Sequence, residues 1–369
     1  MKLDTSLLDR LEEVAGSAQN RARRERPRVA SFQLEEPIAS SKIFGYDARR
    51  FYTDPAFYVE QNLRLRLWRW DTFPDDDMPV SLDLPASLGY YPEYTFLGMD
   101  VSFTSEGVPL IQSDHPLTRT PDLRLLKPVD FATSGWMPRC FRWYDAIREL
   151  VGDRLKVSFG MGWGRGCLDL AIQLRGYEAF VGDTIERPQF VHDLLKFLVE
   201  QRCRWWEGYC RHFGYELTPG AVADDWINVP FITPSMFADF VLPRYLDIES
   251  FAGGILSVHS CGNQTPVQKY LLRIKSLPGL EVSPWTDLRQ SLVNIPPEKS
   301  LWIALHPNDA LLVTPDKMEA KLRGIVELCR GRSYSIATGG LTPITPDIGA
   351  YIEKVRAWTR TVRKVFGSA

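Results

Sequence analysis

The stretch Gly254-Ile255-Leu256-Ser257-Val258-His259-Ser260-Cys261-Gly262-Asn263 decides the fold. Its apolar first half predicts a buried strand, which Gly262 and Asn263 end, and Thr265-Pro266 then opens a helix. Side chains alternate along a strand, so His259 and Cys261 point the same way and could share one metal ion. The plain alternative is a packed histidine beside an inert thiol. Ligands of parallel α/β folds bind at this carboxyl end of the strands.

The same order, a short apolar strand with a polar end followed by an amphipathic helix, recurs along the chain. It predicts strands at residues 155–160, 221–223, 254–258, 280–283, 301–305 and 333–337, and near residues 29–33 and 79–84. It predicts helices at residues 168–175, 188–213, 234–251 and 317–329. The six βα units after residue 150 and the two earlier strands approach the eight of a TIM (β/α)8 barrel, with a doubly wound sheet as the rival. Polar residues at the same end of every strand favour the barrel.

The length of 369 residues suits one barrel-sized domain with an extension. We expect residues 1–75 to form a helical or irregular N-terminal extension packed on the barrel, and residues 76–369 to form the barrel itself. A net charge of −2 gives no basic face for nucleic acid or an anionic membrane. The sequence shows neither an apolar membrane-length stretch nor a signal peptide, so a cytoplasmic location is expected.

The six cysteines lack a C-x-x-C pair and are predicted to be reduced thiols. Cys203 and Cys210 flank Trp205 and Trp206 on a predicted helix, seven residues apart, and face either the core or a partner subunit. A partner surface on this helix, for example in a homodimer, is one hypothesis for the protein. Full burial of both tryptophans within one subunit would remove its main support.

An ordered set of motifs carries a family resemblance. The set comprises Asp224-Asp225-Trp226, Pro234-Ser235-Met236-Phe237 with Val241-Leu242-Pro243-Arg244-Tyr245, the His259-Ser260-Cys261-Gly262-Asn263 run, and Thr338-Gly339-Gly340-Leu341-Thr342-Pro343. It resembles the uroporphyrinogen decarboxylase superfamily over roughly residues 150–365, and within it the branch of cobalamin-linked, zinc-dependent methyltransferases. The resemblance implies a TIM barrel. The arginine-rich segment with which the decarboxylases bind porphyrinogen has no match before residue 75, so activity on a porphyrinogen is not expected.

In the methyltransferase branch the H-x-C pair, here His259 and Cys261, supplies two zinc ligands, and a later cysteine supplies the third. The matching turn here carries Gly339 in place of that cysteine. A catalytic zinc needs three protein ligands and an open position, so the sequence must supply a replacement. His306, at the end of a later strand, is the first candidate. Asp225 or Asp224 is the second and Cys329 the third.

The leading hypothesis is methyl transfer between a small methylated substrate or thiol and a corrinoid held by a partner protein. Asp225 would be a ligand or general base, Asp224 is a second catalytic candidate, and Asn263 would orient a ligand or substrate. The two aspartates could instead simply cap the next helix. Candidate substrate contacts are aromatic or polar residues near strand ends: Trp163, Arg165, Trp226, Trp285 and Asn308.

A second hypothesis is a decarboxylase or other lyase that acts on a small carboxylate. Arg165 would bind the acid and Asp225 would protonate the product carbon. Such an enzyme would not retain a metal, which distinguishes it from the methyltransferase.

Overall fold

The computed structural model describes residues 4–25, 30–34, 36–89, 91–111 and 114–367. Eight strands that follow one another along the chain form the central sheet structure. They are β1 Ala30–Phe32, β2 Asp83–Ala86, β3 Lys156–Phe159, β4 Gly220–Ala223, β5 Ile255–His259, β6 Gly279–Val282, β7 Ser300–Leu305 and β8 Tyr334–Thr338. Two further short strands, Val101–Ser102 and Leu110–Ile111, pair as an antiparallel hairpin.

The pairing of the strands is parallel and follows their order in the chain. Hydrogen-bonded ladders join β2 to β3, β4 to β5, β6 to β7, β7 to β8, and β8 back to β1. A parallel bridge between Arg165 and Ala223 connects the segment after β3 to β4, and β5 lies against β6. This succession of strands and helices is that of a TIM (β/α)8 barrel, which confirms the predicted fold class.

Helices surround the strands. The α-helices are Thr5–Gly16, Ala18–Glu25, Ile38–Phe44, Ala48–Phe51, Pro55–Thr72, Pro92–Phe96, Met137–Val151, Cys167–Arg175, Tyr177–Glu186, Pro188–Phe213, Pro234–Met236, Leu242–Ala252, Gln268–Leu271, Leu288–Asn294, Asn308–Leu311, Pro315–Leu328 and Ile348–Phe366. Single 3₁₀ turns lie at Pro116–Thr118, Leu123–Leu125 and Gly152–Arg154.

Local sequence explains the clearest of these elements. In β7, Leu301, Ile303 and Leu305 are buried while the residues between them are partly exposed, as the two-residue period of a strand requires. The long helix Pro188–Phe213 begins with proline at its first position and ends at Gly214, whose φ of 70° is the left-handed conformation that glycine adopts without strain. Both ends of that helix are where the sequence predicts them.

The helix predicted at residues 234–251 is interrupted. A π-helical segment, Phe237–Val241, separates Pro234–Met236 from Leu242–Ala252. Pro243 has no backbone N–H and cannot donate to the carbonyl of residue 239, which accounts for the wider turn just before it. The predicted strand at residues 79–84 begins four residues later and ends two residues later, at Asp83–Ala86. Val29 of the predicted first strand lies outside the described residues.

The first 75 residues do more than cover the barrel. The helix Thr5–Gly16 is tied to the start of β3, because Arg154 pairs with Glu12 at 2.9 Å. Strand β1 also lies in this part of the chain and pairs with β8, so residues 30–32 contribute to the barrel wall. The division at residue 75 that we expect from the sequence therefore passes between the first barrel strand and the second.

In the described part of the chain, no helix is both long enough and apolar enough to cross a bilayer. All six cysteines are free thiols. Trp205 is fully buried, whereas Trp206 is half-buried and donates its indole N–H to the Trp163 carbonyl at 3.1 Å. Most of the tryptophan pair's surface is therefore used inside the subunit, which weakens the case for a partner surface there.

Candidate metal centre

Three potential metal ligands converge at the carboxyl ends of β4 and β5. They are Asp225, His259 and Cys261, whose ligand atoms lie within 4.8 Å of one another. The His259 Nε2 is 3.2 Å from the Cys261 Sγ and 3.6 Å from the Asp225 Oδ1. Within the described ranges, no other three His, Cys, Asp or Glu side chains meet so closely. The predicted orientation of His259 and Cys261 to one side is confirmed.

The register between two strands brings Asp225 to this pair. Ala223 of β4 lies opposite His259 of β5, and the Asp224 amide donates to the His259 carbonyl at 2.9 Å. The next residue, Asp225, therefore emerges beside the imidazole. The loop after β5 approaches this point closely, because a Cβ on Gly262 would collide with the Asn228 side chain. Asn228 in turn donates to the Asp225 carbonyl at 2.6 Å.

Two of the three side chains, those of Asp225 and His259, are held by a neighbour outside the group. The Asp225 Oδ2 accepts a hydrogen bond from Arg165 at 2.7 Å, whereas its buried Oδ1 makes no hydrogen bond within the described structure. The His259 Nδ1 is 2.7 Å from the Glu281 Oε2 of β6. A carboxylate behind one ring nitrogen of a histidine fixes the ring and leaves the other nitrogen facing its ligand.

These contacts shift the pKa values of His259 and Asp225. Hydrogen bonds to Cys261 and to Glu281 raise the pKa of His259 to about 10. Burial acts to raise the pKa of Asp225. The hydrogen bond and charge of Arg165, together with smaller contributions from Cys261 and His259, outweigh it and leave that pKa below its usual value. Asp225 is therefore an anion, and a cation bound at this site would take the place of a proton on His259.

This donor set fits a zinc ion. An imidazole nitrogen, a thiol sulfur and a carboxylate oxygen are all ordinary zinc ligands, and three protein ligands leave a fourth position open. The orphaned Asp225 Oδ1 faces the other two donors, as a ligand atom should. Cys261 is exposed and the His259 side chain is 46% exposed, so the open position faces solvent and not the packed core.

His306, the first candidate for the third ligand, does not join the group. Its Nδ1 accepts a hydrogen bond from the Asn308 amide at 3.1 Å, and its ring meets Trp285 edge to face with 5.7 Å between centroids. His306 is therefore a turn histidine that is hydrogen-bonded to the backbone. Cys329, the third candidate, is buried and caps the helix Pro315–Leu328.

Asp224 lies beneath the site. It is fully buried, and its Oδ2 accepts hydrogen bonds from the Tyr245 hydroxyl at 2.9 Å and the Leu168 amide at 3.1 Å. Burial raises the pKa of this carboxyl to about 8. These contacts connect the loop after β4 to the helices Cys167–Arg175 and Leu242–Ala252. Asp224 therefore supports the loop from within the core, whereas the Asp225 side chain is 34% exposed.

The close packing of Gly166 against Asp224 predicts how substitution of this glycine changes the free energy of unfolding. A Cβ on Gly166 would overlap the Asp224 carboxyl group, so Gly166→Ala is expected to destabilise the protein by about 1–3 kcal/mol. Gly324→Ala is the matched control, since a Cβ there meets nothing and alanine favours the interior of the helix Pro315–Leu328 by about 0.5–1 kcal/mol. Urea unfolding of the two variants should therefore shift in opposite directions. Equal shifts would contradict the close approach of Gly166 to Asp224.

A cavity of about 450 Å³ opens beside the three ligands. Arg165, Asp169, Gln173, Asp225 and Cys261 supply its polar lining. The apolar lining is largely aromatic and consists of Tyr91, Tyr94, Val108, Pro109, Ile111, Trp226 and Phe231. The Trp226 ring, which forms one wall of the cavity, is held in place by stacking on Tyr177 with 5.2 Å between centroids. The size is that of a small-molecule site.

The remaining predicted substrate contacts are divided. Arg165 and Trp226 line this cavity, whereas Trp163 is fully buried and packs at 5.8 Å from Phe96 in the core. Trp285 is 56% exposed, and with Asn308 it lies outside the lining. The Asn263 Oδ1 accepts from the Thr265 amide at 3.0 Å, so this side chain shapes the loop after β5.

Sequence reasoning missed four acidic or phenolic groups that organise the site. Glu281 forms a hydrogen bond with His259. Asp169 pairs with Arg165 at 3.1 Å and accepts a hydrogen bond from the Tyr94 hydroxyl, also at 3.1 Å. Glu93 is buried and accepts the amides of Gly164 and Arg165 at 2.9 and 2.7 Å. A charged residue inside the apolar strand Gly279–Val282 was the available signal for Glu281.

A barrel with reactive side chains gathered at the carboxyl ends of its strands has the architecture of the TIM-barrel enzymes. The comparison with protein families defines the chain more closely. It belongs to the uroporphyrinogen decarboxylase (URO-D) family, whose model matches residues 91–365. This match confirms the superfamily suggested by the motifs.

The chain is also similar to a solved structure, a methyltransferase from Methanosarcina mazei. The two share 18% sequence identity with a TM-score of 0.65, and the alignment covers 97% of this chain and 99% of the other. At that identity the likeness establishes the fold. The comparison with curated proteins gave no match.

Proposed function

We propose that the protein is a zinc-dependent methyltransferase that moves a methyl group between a small methylated substrate or thiol and a corrinoid protein. The observation that supports this most strongly is the convergence of Asp225, His259 and Cys261 beside a cavity of about 450 Å³. The family membership and the methyltransferase fold of the similar structure agree with it.

Asp225, His259 and Cys261 would hold the metal through one oxygen, one nitrogen and one sulfur. When bound, zinc would act as a Lewis acid on a substrate heteroatom or lower the pKa of a substrate thiol. Arg165 and Glu281 would orient two of the ligands through the hydrogen bonds they already make to Asp225 and His259. One carboxylate in place of a thiolate would leave the metal a stronger Lewis acid.

The substrate would occupy the cavity against Trp226, Phe231 and the tyrosines. The side chain of Arg165 is only 9% exposed, and it pairs with Asp225 at 2.7 Å and with Asp169 at 3.1 Å. Its charge is thus already balanced by two carboxylates. A lyase that uses Arg165 to bind a substrate acid would have to break these ion pairs, so the geometry favours the methyltransferase over the lyase.

Metal analysis and methyl transfer together test this proposal. We expect purified protein to contain about one equivalent of zinc and to demethylate free methylcobalamin, used in place of the corrinoid protein, in the presence of a thiol. The reaction transfers CH₃⁺ to the thiolate, leaves the Co–C electron pair on cobalt as cob(I)alamin, and is followed by visible absorbance. Less than a tenth of an equivalent of zinc, or demethylation that persists fully after chelation, would refute the metal role.

A further inference from the structure

A second cavity lies at the opposite end of the barrel from the metal centre. Its volume is about 400 Å³, and it is bounded by the helices Pro188–Phe213 and Leu242–Ala252 and by the start of β4 at Gly220. Asp225 follows the other end of β4, so this cavity and the metal centre are separated by the length of the strand. Small-molecule sites in proteins have volumes of roughly 300–1,000 Å³.

The walls of this second cavity are aromatic. Trp206, Tyr209, Tyr215 and Phe251 all line it. The Trp206 and Tyr209 ring centroids are 5.1 Å apart, and those of Tyr209 and Tyr215 are 5.8 Å apart. Flat, rigid rings of this kind offer stacking surfaces to a planar ligand at little cost in side-chain entropy.

A buried cation also lines the cavity. Arg202 is 5% exposed, and it donates to the carbonyl oxygens of Arg165 at 3.1 Å and Ala221 at 2.8 Å. No carboxylate of the described residues lies within 4.0 Å of its guanidinium nitrogens, and burial lowers its pKa. The acidic group with the strongest electrostatic effect on it, Glu93, instead accepts the amides of Gly164 and Arg165.

The hydrogen bonds that Arg202 donates within the described residues all go to carbonyl groups, and it keeps its charge, since arginine does not deprotonate in proteins. Buried charges are normally compensated by a charge of opposite sign. The other charged residue in the lining, Glu216, is exposed and needs no partner. Glu93 acts on Arg202 only from beyond 4.0 Å, so no carboxylate of the described residues compensates the guanidinium by contact, and the walls of the cavity fit a ring.

We propose that this cavity, here called the Arg202 cavity, binds a planar aromatic molecule that carries one carboxylate or similar anionic group. The ring stacks between Trp206, Tyr209 and Phe251, and the anion lies on the Arg202 side. This site is separate from the metal centre and does not depend on the reaction proposed there.

Calorimetric titration with 2-naphthoate, and with neutral 2-naphthamide as the matched probe, tests both parts of the proposal. We expect one molecule of naphthoate to bind per chain, with a Kd at least tenfold lower than that of the amide, since a hydrogen bond to a charged group contributes more than a neutral one. Equal affinities for the two probes, or no binding of naphthoate at millimolar concentration, would overturn it.

Substitutions that fill the Arg202 cavity test whether naphthoate binds there. Cys210→Trp fills the Arg202 cavity and is expected to raise the naphthoate Kd more than tenfold, whereas Arg211→Trp, on an exposed neighbouring position of the same helix, should change it less than twofold. Ala252→Phe fills the cavity from the other helix and replaces Cys210→Trp if that variant does not fold. Unchanged affinity in a folded, cavity-filled variant would place the ligand elsewhere and refute the assignment.

Discussion

Asp225→Asn is expected to lower the zinc affinity of the protein by more than about 100-fold, because loss of a direct ligand should exceed the 10–100-fold cost of changing a ligand's hydrogen-bond partner. The Asp225 Oδ1 is buried, has no hydrogen-bond partner in the described part of the chain, and faces His259 and Cys261. Asparagine keeps the shape of the side chain but removes its charge. Zinc content by mass spectrometry and competition with a colorimetric chelator would measure the change.

His306→Asn is the control for this prediction and should leave zinc binding unchanged. His306 is bonded to the Asn308 amide and packs against Trp285, away from the three ligands. The pair of variants therefore distinguishes the proposed ligand set, which includes Asp225, from the one that the sequence favours, which includes His306. Loss of zinc in His306→Asn with retention in Asp225→Asn would show that the structural assignment is incorrect.

The stability of the protein is expected to fall by about 3 kcal/mol as the pH rises from 4.5 to 7, relative to the variant Glu93→Gln. Burial raises the pKa of Glu93 from its usual 4.5 to about 7, against the opposing effect of the two amide hydrogen bonds. Each pKa unit corresponds to about 1.4 kcal/mol. Because the folded protein holds this proton more tightly than the unfolded chain, the contribution is complete below pH 4.5 and is lost as the pH rises through 7.

Denaturant unfolding of both proteins across this range would measure the difference. Glu93→Gln carries no titrating group at this position, so other ionisations, such as that of Asp224, cancel in the comparison provided the variant leaves their surroundings unchanged. A constant difference between the two proteins from pH 4.5 to 7 would contradict the raised pKa. It would mean that the amides of Gly164 and Arg165 keep the Glu93 carboxylate ionised.

The barrel could be predicted because its signals are local. Most of the later strands are short, largely apolar runs followed by a polar turn and a helix whose period is visible within one window. The stretch that ends at His259 and Cys261 also fixed their common direction, since side chains two apart on a strand share a face. Pro243 shows the limit of such signals, because the sequence marks a proline without showing that the helix widens there.

The identity of the third ligand could not be predicted in the same way. It depends on Ala223 lying opposite His259 and on the hydrogen bond from Asp224 to His259 across two strands, neither of which is visible in a linear pattern. Trp163 is likewise a residue type common in binding sites, but its side chain is fully buried. Burial of an aromatic ring depends on distant packing partners.

The chain by itself therefore determined the barrel and the His259–Cys261 pair, because strand alternation and βα order are properties of neighbouring residues. Only the tertiary structure placed Asp225 with that pair, Glu281 behind the imidazole, and Arg202 in a cavity at the far end of the barrel. Those relations join residues tens of positions apart. Strand register and helix packing set the distances between them.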